Sequence, residues 1–180
     1  MVYVFLADGF EVVEALAVVD VLRRAKIETA TVGVGGKTIK SSNNIEIVCD
    51  KVDEEISLMD DIEGIVLPGG LPGTTNLDNS NTVDAFINFA NENKLLIAAI
   101  CAAPSVLGKR NLLDGKNATC YPGFEKYLYG ANYTAAFVEK DGNIITGKGM
   151  GVAVDFGLEI VSYLRSEELA KSIKSSIQSR

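Results

Sequence analysis

Histidine is absent from this chain of 180 residues. Any mechanism in which the chain supplies an imidazole base is therefore excluded, and with it a Cys-His-Asp triad. A zinc site is disfavoured too, because the three cysteines show no C-x-x-C spacing that could replace histidine ligands. Cys49, Cys101 and Cys120 are odd in number and scattered, which does not suit a disulfide framework. We expect a cytoplasmic protein of a reducing compartment without a metal site.

Positive charge and long apolar runs are also scarce. Seventeen Lys and Arg residues stand against twenty-four Asp and Glu residues, giving a net charge of −7, and no basic run exceeds Arg23-Arg24. We therefore expect neither a nucleic acid nor an anionic membrane as a partner. The longest apolar run, 95–103, falls short of the about 20 residues that a membrane-spanning helix needs. The first apolar run, 2–7, has no basic leader and no cleavage site, so we do not expect a signal peptide.

The hydrophobic pattern predicts strands that alternate with helices. A hydrophobic content of 47% suits one compact domain over residues 1–180. The predicted strands are 2–7, 29–34, 45–49, 65–67, 95–100 and 118–120, with a hairpin of 136–138 and 144–146 around Asp141-Gly142. The predicted helices are 11–25 with Asp8 as its cap, one capped near Ser80, 102–108, 152–164, and one from Ser166 to about Gln178. This order indicates an α/β fold, with a mainly parallel sheet covered by helices on both faces.

Cys101 stands where the buried strand 95–100 meets the next helix. Ligands of open α/β sheets bind at the carboxyl ends of the strands, and the amino end of a helix favours an anion. A thiol in that place should lose its proton easily, so Cys101 is the candidate nucleophile. The alternative is a buried cysteine that only fills space between Ile100 and Ala102.

Glu14 is the candidate acid beside that thiol. Its neighbours one turn away are mostly apolar, and Glu11 adds a second acid nearby. Poor solvation and a like charge both raise a carboxyl pKa, so a protonated Glu14 near neutral pH is plausible. The alternative is an acid that reaches solvent or complements the helix dipole, and for Glu11 we prefer that interpretation.

Two glycine-containing loops complete the set of candidates. Pro68-Gly69-Gly70 follows a buried strand and leaves backbone amides uncovered, which suits an oxyanion site but also an ordinary turn. The loop 147–151, Gly-Lys-Gly-Met-Gly, fits neither common phosphate-binding motif, so a nucleotide site is disfavoured. Tyr121, at the end of a short strand, either lines the site or simply packs. We expect Cys49 and Cys120 to be structural.

Three segments together resemble a known family. Leu6 to Glu14 (L-A-D-G-F-E-V-V-E), Val66 to Gly70 (V-L-P-G-G) and Ala98 to Pro104 (A-A-I-C-A-A-P) are similar to the ThiJ/PfpI superfamily. Within that superfamily the chain most resembles the branch of the Parkinson-associated protein deglycase and its bacterial relatives. The resemblance extends from the first strand to the helix that ends near Leu164. It implies a flavodoxin-like α/β sandwich, a homodimer, and a strained nucleophile elbow at the cysteine.

The resemblance also implies roles for particular residues. It assigns the nucleophile to Cys101, a protonated interacting glutamate to Glu14, and oxyanion-binding amides to Gly69, Gly70 and Ala102. Members are described as glyoxalases that convert methylglyoxal to lactate without glutathione, as deglycases of early glycation adducts, as oxidative-stress sensors through cysteine sulfinate, and as chaperones. A small aldehyde or glycated adduct is then the implied partner, without metal or organic cofactor.

One position departs from the family's pattern. Close relatives carry a histidine before the proline where this chain has Tyr121-Pro122. Peptidase and glutamine amidotransferase activities, which need that imidazole, are therefore disfavoured. The general acid or base would then be Glu14, Cys101 or water. Oxidation of Cys101 to sulfinate stays open as an alternative to catalysis.

Overall fold

A seven-stranded, mainly parallel sheet forms the centre of the molecule. The computed structural model describes residues 1–179. The strands are β1 (Val2–Leu6), β2 (Thr29–Gly33), β3 (Thr38–Lys40), β4 (Glu46–Val48), β5 (Lys51–Val52), β6 (Gly64–Leu67), β7 (Leu96–Ile100), β8 (Asn117–Ala118), β9 (Asn132–Tyr133), β10 (Val138–Asp141) and β11 (Ile144–Gly147). The helices are α1 (Val12–Arg24), α2 (Gly73–Asp78), α3 (Asn81–Glu92), α4 (Pro104–Lys109), α5 (Ala153–Leu164) and α6 (Glu167–Ser176), with short 3-10 turns at Asp53–Glu55, Glu125–Tyr127 and Met150–Val152.

The strand order in the sheet is β10-β11-β7-β6-β1-β2-β5. Every neighbouring pair is parallel except β10 and β11, which form an antiparallel hairpin at one edge. The turn of that hairpin places Gly142 at φ 63°, where a residue without Cβ is unstrained. The hairpin predicted around Asp141-Gly142 is therefore confirmed.

Alternate residues of each central strand pack against different helical layers. In β1, Val2, Val4 and Leu6 belong to the core beneath α1, α5 and α6. Tyr3 and Phe5 point to the core beneath α2, α3 and α4. Because both faces are covered, these strands are continuously apolar, as parallel strands usually are. The α/β class with helices on both faces is confirmed.

Of the caps predicted for helices α1 and α3, the structure confirms only the one for α3. Ser80 caps α3, since its hydroxyl accepts from the Val83 amide at 3.3 Å. The prediction that Asp8 caps the first helix is wrong. Glu11 caps α1 through the Val13 amide, whereas the Asp8 carboxylate accepts from the Lys40 amide at 2.8 Å. Asp8 therefore ties the first loop to strand β3 instead.

Three loops meet at the carboxyl ends of β1, β6 and β7. The Glu11 amide donates to the Gly69 carbonyl at 2.9 Å, which joins the first loop to the second. A Cβ on Gly69 would lie 2.7 Å from the Cβ of Cys101, so the second loop touches the third. The convergence that the sequence predicts is confirmed at this edge of the sheet. Among residues 1–179, no helix is long and apolar enough to cross a membrane.

Candidate active site

Cys101 occupies a sharp turn between β7 and α4. Its φ is 65°, in the left-handed region that costs a residue with a side chain about 1–3 kcal/mol. Neighbouring backbone holds the turn on both sides: the Cys101 amide donates to the Gly147 carbonyl at 2.8 Å, and the Tyr121 amide donates to the Cys101 carbonyl at 2.8 Å. The positive φ shows a strained turn at Cys101, and its role as a nucleophile elbow stays a prediction. The turn leaves the Cys101 side chain partly exposed.

Glu14 lies in the first turn of α1, where only 1% of its surface is exposed. One carboxyl oxygen, Oε2, accepts from the Gly69 amide at 2.8 Å. The other, Oε1, is buried and has no hydrogen-bond partner among residues 1–179. A side chain on Gly69 would come within 2.7 Å of Glu14 Oε2 and of Cys101 Cβ, so glycine is needed for this approach. A carboxyl group with one unpartnered oxygen therefore lies against the cysteine.

Burial raises the pKa of Glu14 from its ordinary value of 4.5 to about 7. The interaction with the Cys101 thiol and the Gly69 amide both oppose that rise, and the charge of Glu11 adds to it. Near neutral pH, the Glu14 carboxyl therefore retains its proton in about half of the protein molecules. This agrees with the protonated acid that the sequence predicts.

Burial, followed by the charge of an ionised Glu14 and its hydrogen bond, raises the pKa of Cys101 to about 12. The sequence led us to expect a lowered thiol pKa, and that expectation is wrong, because burial outweighs the effect of the nearby backbone amides. Two buried acids in contact do not both ionise near neutral pH, so the pair loses a single proton there. The amides of Ala102 and Gly70 lower the pKa of the thiol, but burial raises it by more. Because the pKa of Glu14 is the lower of the two, the single charge of the pair lies mainly on Glu14, in equilibrium with the form that has a thiolate at Cys101 and the proton on Glu14.

The amides predicted to bind an oxyanion divide into two groups. Those of Gly70 and Ala102 point towards the Cys101 sulfur. Gly70 has φ +90°, and a Cβ there would lie 2.5 Å from the Glu11 amide nitrogen. The amide of Gly69 is instead bonded to Glu14, so it positions the carboxyl and is not free for a substrate oxygen.

The backbone of Tyr121 lies beside that of Cys101, because the Tyr121 amide donates to the Cys101 carbonyl. Of the surface of Tyr121, 52% is exposed. Its ring lies beside an open apolar pocket, which it lines together with Phe137 and Met150. Phe137 and Met150 are not among the site residues that the sequence predicts. Phe137 lies in the loop before β10 and Met150 begins a short 3-10 turn, and apolar residues in such segments follow no periodicity that would mark them.

The other two cysteines lie in the core. Cys49 and Cys120 are both buried and unpaired, and burial raises the pKa of each thiol, to about 11 and about 12. Neither has the exposure that a reactive thiol needs. Within residues 1–179, no three Cys, Asp or Glu side chains cluster closely enough to hold a metal ion.

Comparisons with known proteins agree with this fold. Residues 1–163 match the DJ-1/PfpI family. The chain is 36% identical to the protein dj-1beta of Drosophila melanogaster and 36% identical to the Parkinson disease protein 7 homolog of Danio rerio, in each case over 97% of this chain and 94% of the relative. Its fold superposes on a DJ-1 superfamily protein of Salmonella typhimurium with a TM-score of 0.93, 32% identity and coverage of 99% and 98% of the two chains. Superposition on the oxidized form of Toxoplasma gondii DJ-1 gives a TM-score of 0.94 at 29% identity, and it covers 99% of this chain and 97% of that chain.

Proposed function

Because the chain belongs to the DJ-1/PfpI family, we propose that Cys101 and Glu14 are the catalytic pair of a stress-protection enzyme. Its substrates are methylglyoxal-like α-oxoaldehydes or the early adducts that they form on amines and thiols. The reaction is of the glyoxalase or deglycase type and converts the α-oxoaldehyde to a hydroxyacid, with water as the co-reactant.

The first step is addition of the Cys101 thiolate to the aldehyde carbon. A carbon–sulfur bond forms, and the carbonyl electron pair moves to the oxygen. The amides of Gly70 and Ala102, which point towards the sulfur, are placed to hold the resulting oxyanion. Glu14 then gives its proton to this oxygen, leaving a hemithioacetal and an ionised carboxyl.

The second step moves a proton between the two substrate carbons. The Glu14 carboxylate removes the proton from the former aldehyde carbon, giving an enediolate with its charge on the former ketone oxygen. The hydroxyl proton on the former aldehyde carbon's oxygen moves to the former ketone oxygen, and Glu14 returns its own proton to the former ketone carbon. The aldehyde carbon is thereby oxidised to a thioester while the ketone is reduced to an alcohol, so no external oxidant is consumed. Water then cleaves the carbon–sulfur bond, which releases the hydroxyacid and regenerates the thiol.

The observation that carries this proposal is the buried, half-bonded carboxyl of Glu14 beside Cys101. Its Oε2 is held by Gly69 at 2.8 Å, while Oε1 has no partner among the described residues. With a pKa of about 7, such a group both donates and accepts a proton near neutral pH. Most buried side-chain oxygens are hydrogen-bonded, so the unpartnered Oε1 supports a functional role for this carboxyl.

Formation of lactate from methylglyoxal, followed by proton NMR, tests the proposal. We expect turnover by the parent chain and a loss of at least about a hundredfold in Cys101→Ser and in Glu14→Gln. Glu11→Gln is the matched control, because it removes a neighbouring carboxylate that caps α1 outside the pair. Retained activity in Cys101→Ser or Glu14→Gln would refute the mechanism, as would absence of turnover in the parent chain.

A redox role is the second candidate, since Cys101 is partly exposed and faces a proton donor. Two equivalents of peroxide convert the thiolate to sulfinate and release two waters, and protonated Glu14 can donate to the sulfinate oxygens. Mass spectrometry after mild peroxide should show a gain of two oxygens on Cys101. Modification chiefly at Cys49 or Cys120 would contradict this role.

We further propose a homodimer in a reducing compartment, the cytoplasm. Apolar side chains of Val13, Ile45 and Val48 are exposed on α1 and on the hairpin of β3 and β4, which suits a surface that a second copy covers. All three cysteines are unpaired, as expected where thiols stay reduced. Sedimentation velocity of the parent chain and of Val48→Asp tests the dimer: the variant should shift towards monomer.

A further inference from the structure

An open apolar pocket lies next to Cys101. Its volume is about 340 Å³, and its wall includes Tyr121, Pro122, Phe137, Lys148, Met150 and Val152. Phe137 is 70% exposed, and Met150 and Tyr121 are each 52% exposed. Three large side chains thus present apolar surface around one concavity, which is the usual character of a small-molecule site.

The pocket is continuous with the backbone that holds Cys101. The Cys101 amide donates to Gly147, and the wall from Lys148 to Val152 follows directly in the chain. On the other side the Cys101 carbonyl accepts from Tyr121, which is itself part of the wall. The two walls also touch, since a Cβ on Gly149 would be 3.3 Å from the Tyr121 ring. The chain segments that flank the Cys101 backbone therefore form two sides of this pocket.

The one charged residue in the wall does not make an anion site. The Lys148 ammonium donates to the Ala135 carbonyl at 3.1 Å and stands 5.7 Å from the centre of the Phe137 ring. These contacts engage the ammonium with a backbone carbonyl and with the face of an aromatic ring. The loop 147–151 thus supplies apolar surface rather than a phosphate cradle.

We propose that this pocket binds the side chain of the substrate and makes the enzyme selective for α-oxoaldehydes with an apolar, aryl-sized group. The inference rests on the proposed function and names its substrate class. A cavity of roughly 150 Å³ is enough for benzene, whereas a methyl group would leave most of the 340 Å³ unfilled. When methylglyoxal is bound, the apolar surface of Phe137 and Met150 stays exposed to solvent. When an α-oxoaldehyde with a phenyl group is bound, the ring covers that surface.

The test compares kcat/KM for phenylglyoxal and methylglyoxal. The ratio of the two is measured in the parent chain and in Phe137→Ser and Met150→Ser, so that the intrinsic reactivities of the aldehydes cancel. We expect the ratio to fall at least about tenfold in each pocket variant. Met59→Ser is the matched control, because Met59 is 92% exposed and lies outside the pocket. An unchanged ratio in both pocket variants, or an equal fall in Met59→Ser, would overturn the inference.

A binding measurement separates failure of this inference from failure of the proposed function. Benzoylformate and pyruvate, which are unreactive α-oxoacids, are titrated by NMR into Cys101→Ser with and without Met150→Asp. Saturable benzoylformate binding that is at least tenfold tighter than that of pyruvate and is lost in Met150→Asp supports the pocket, even if neither aldehyde is turned over. Equal binding of the two acids overturns it. A change of oligomeric state in Met150→Asp also overturns it, since a second copy would then occupy this face.

Discussion

Replacement of Glu14 by glutamine isolates the energetic cost of a buried carboxyl. Glutamine keeps the shape and can still accept from the Gly69 amide, but it never ionises. The comparison is made in a Cys101→Ser background, because a thiol that shares its proton with the carboxyl would obscure the titration. In that background the one ionisation removed by the substitution is that of Glu14.

The expected magnitude follows from the pKa of Glu14. Burial raises it from 4.5 in the unfolded chain to about 7 in the folded protein. Between those values the folded state binds more protons than the unfolded state, so stability falls as the pH rises through this window. Each pKa unit corresponds to about 1.4 kcal/mol, which gives a loss of about 3 kcal/mol once the pH exceeds 7. The Glu14→Gln variant does not undergo this loss.

Urea unfolding at several pH values between 5 and 8 measures the effect. We expect the free energy of unfolding of Glu14→Gln, minus that of the Cys101→Ser parent, to rise by about 2–3 kcal/mol from pH 5 to pH 8. For Glu11→Gln in the same background, the free energy of unfolding should depend on pH in nearly the same way as it does for the parent. If the same is found for Glu14→Gln, Glu14 ionises at an ordinary pKa, and its role as a proton donor near neutral pH fails.

Two further substitutions test the geometry around the pair and one helix signal. Gly69→Ala should abolish turnover of α-oxoaldehydes, because its Cβ would lie 2.7 Å from both Cys101 Cβ and Glu14 Oε2; full activity with an unchanged circular dichroism spectrum would show that the close approach is not required. Ser80→Ala should lower the free energy of unfolding by about 1 kcal/mol, since it removes the cap of α3. The exposed Ser175→Ala serves as its control in urea unfolding, and equal effects of the two would contradict the capping interpretation.

The central strands and most longer helices could be predicted because their signals are local. The uninterrupted apolar run 95–100 predicts β7, and the spacing of Val83, Phe86 and Ile87 with a serine before it predicts α3. Elements without such signals were missed. Helix α2 has only six residues and includes Gly73 and two threonines, and β9 is defined by a two-residue pairing with β8. Pairing of that kind depends on distant chain segments.

The candidate site could be predicted in part. Cys101 is marked by its place at a strand end and Glu14 by apolar neighbours on its helix, so both are visible in the sequence. The contact between Glu14 and Gly69 joins residues 55 positions apart, and no periodicity reveals it. The same holds for the apolar pocket lined by Tyr121, Phe137 and Met150, whose wall comes from three separate chain segments. The pKa of the thiol was also wrongly predicted, because it depends on the burial of Cys101 and on its contact with Glu14, and neither is visible in the sequence.

The pH dependence of Cys101 alkylation tests the central proposal, which is that Cys101 reacts as a thiolate while Glu14 takes up its proton, so that reactivity follows the first ionisation of the pair. The measurement uses iodoacetamide and a Cys49→Ser, Cys120→Ser background, so that one thiol reacts. We predict an apparent pKa well below the roughly 8.5 of a free thiol, and a rise towards that value in Glu14→Leu, which lacks the proton donor. An apparent pKa at or above 8.5, or labelling only after unfolding, would contradict the claim and leave Cys101 as a residue that fills space.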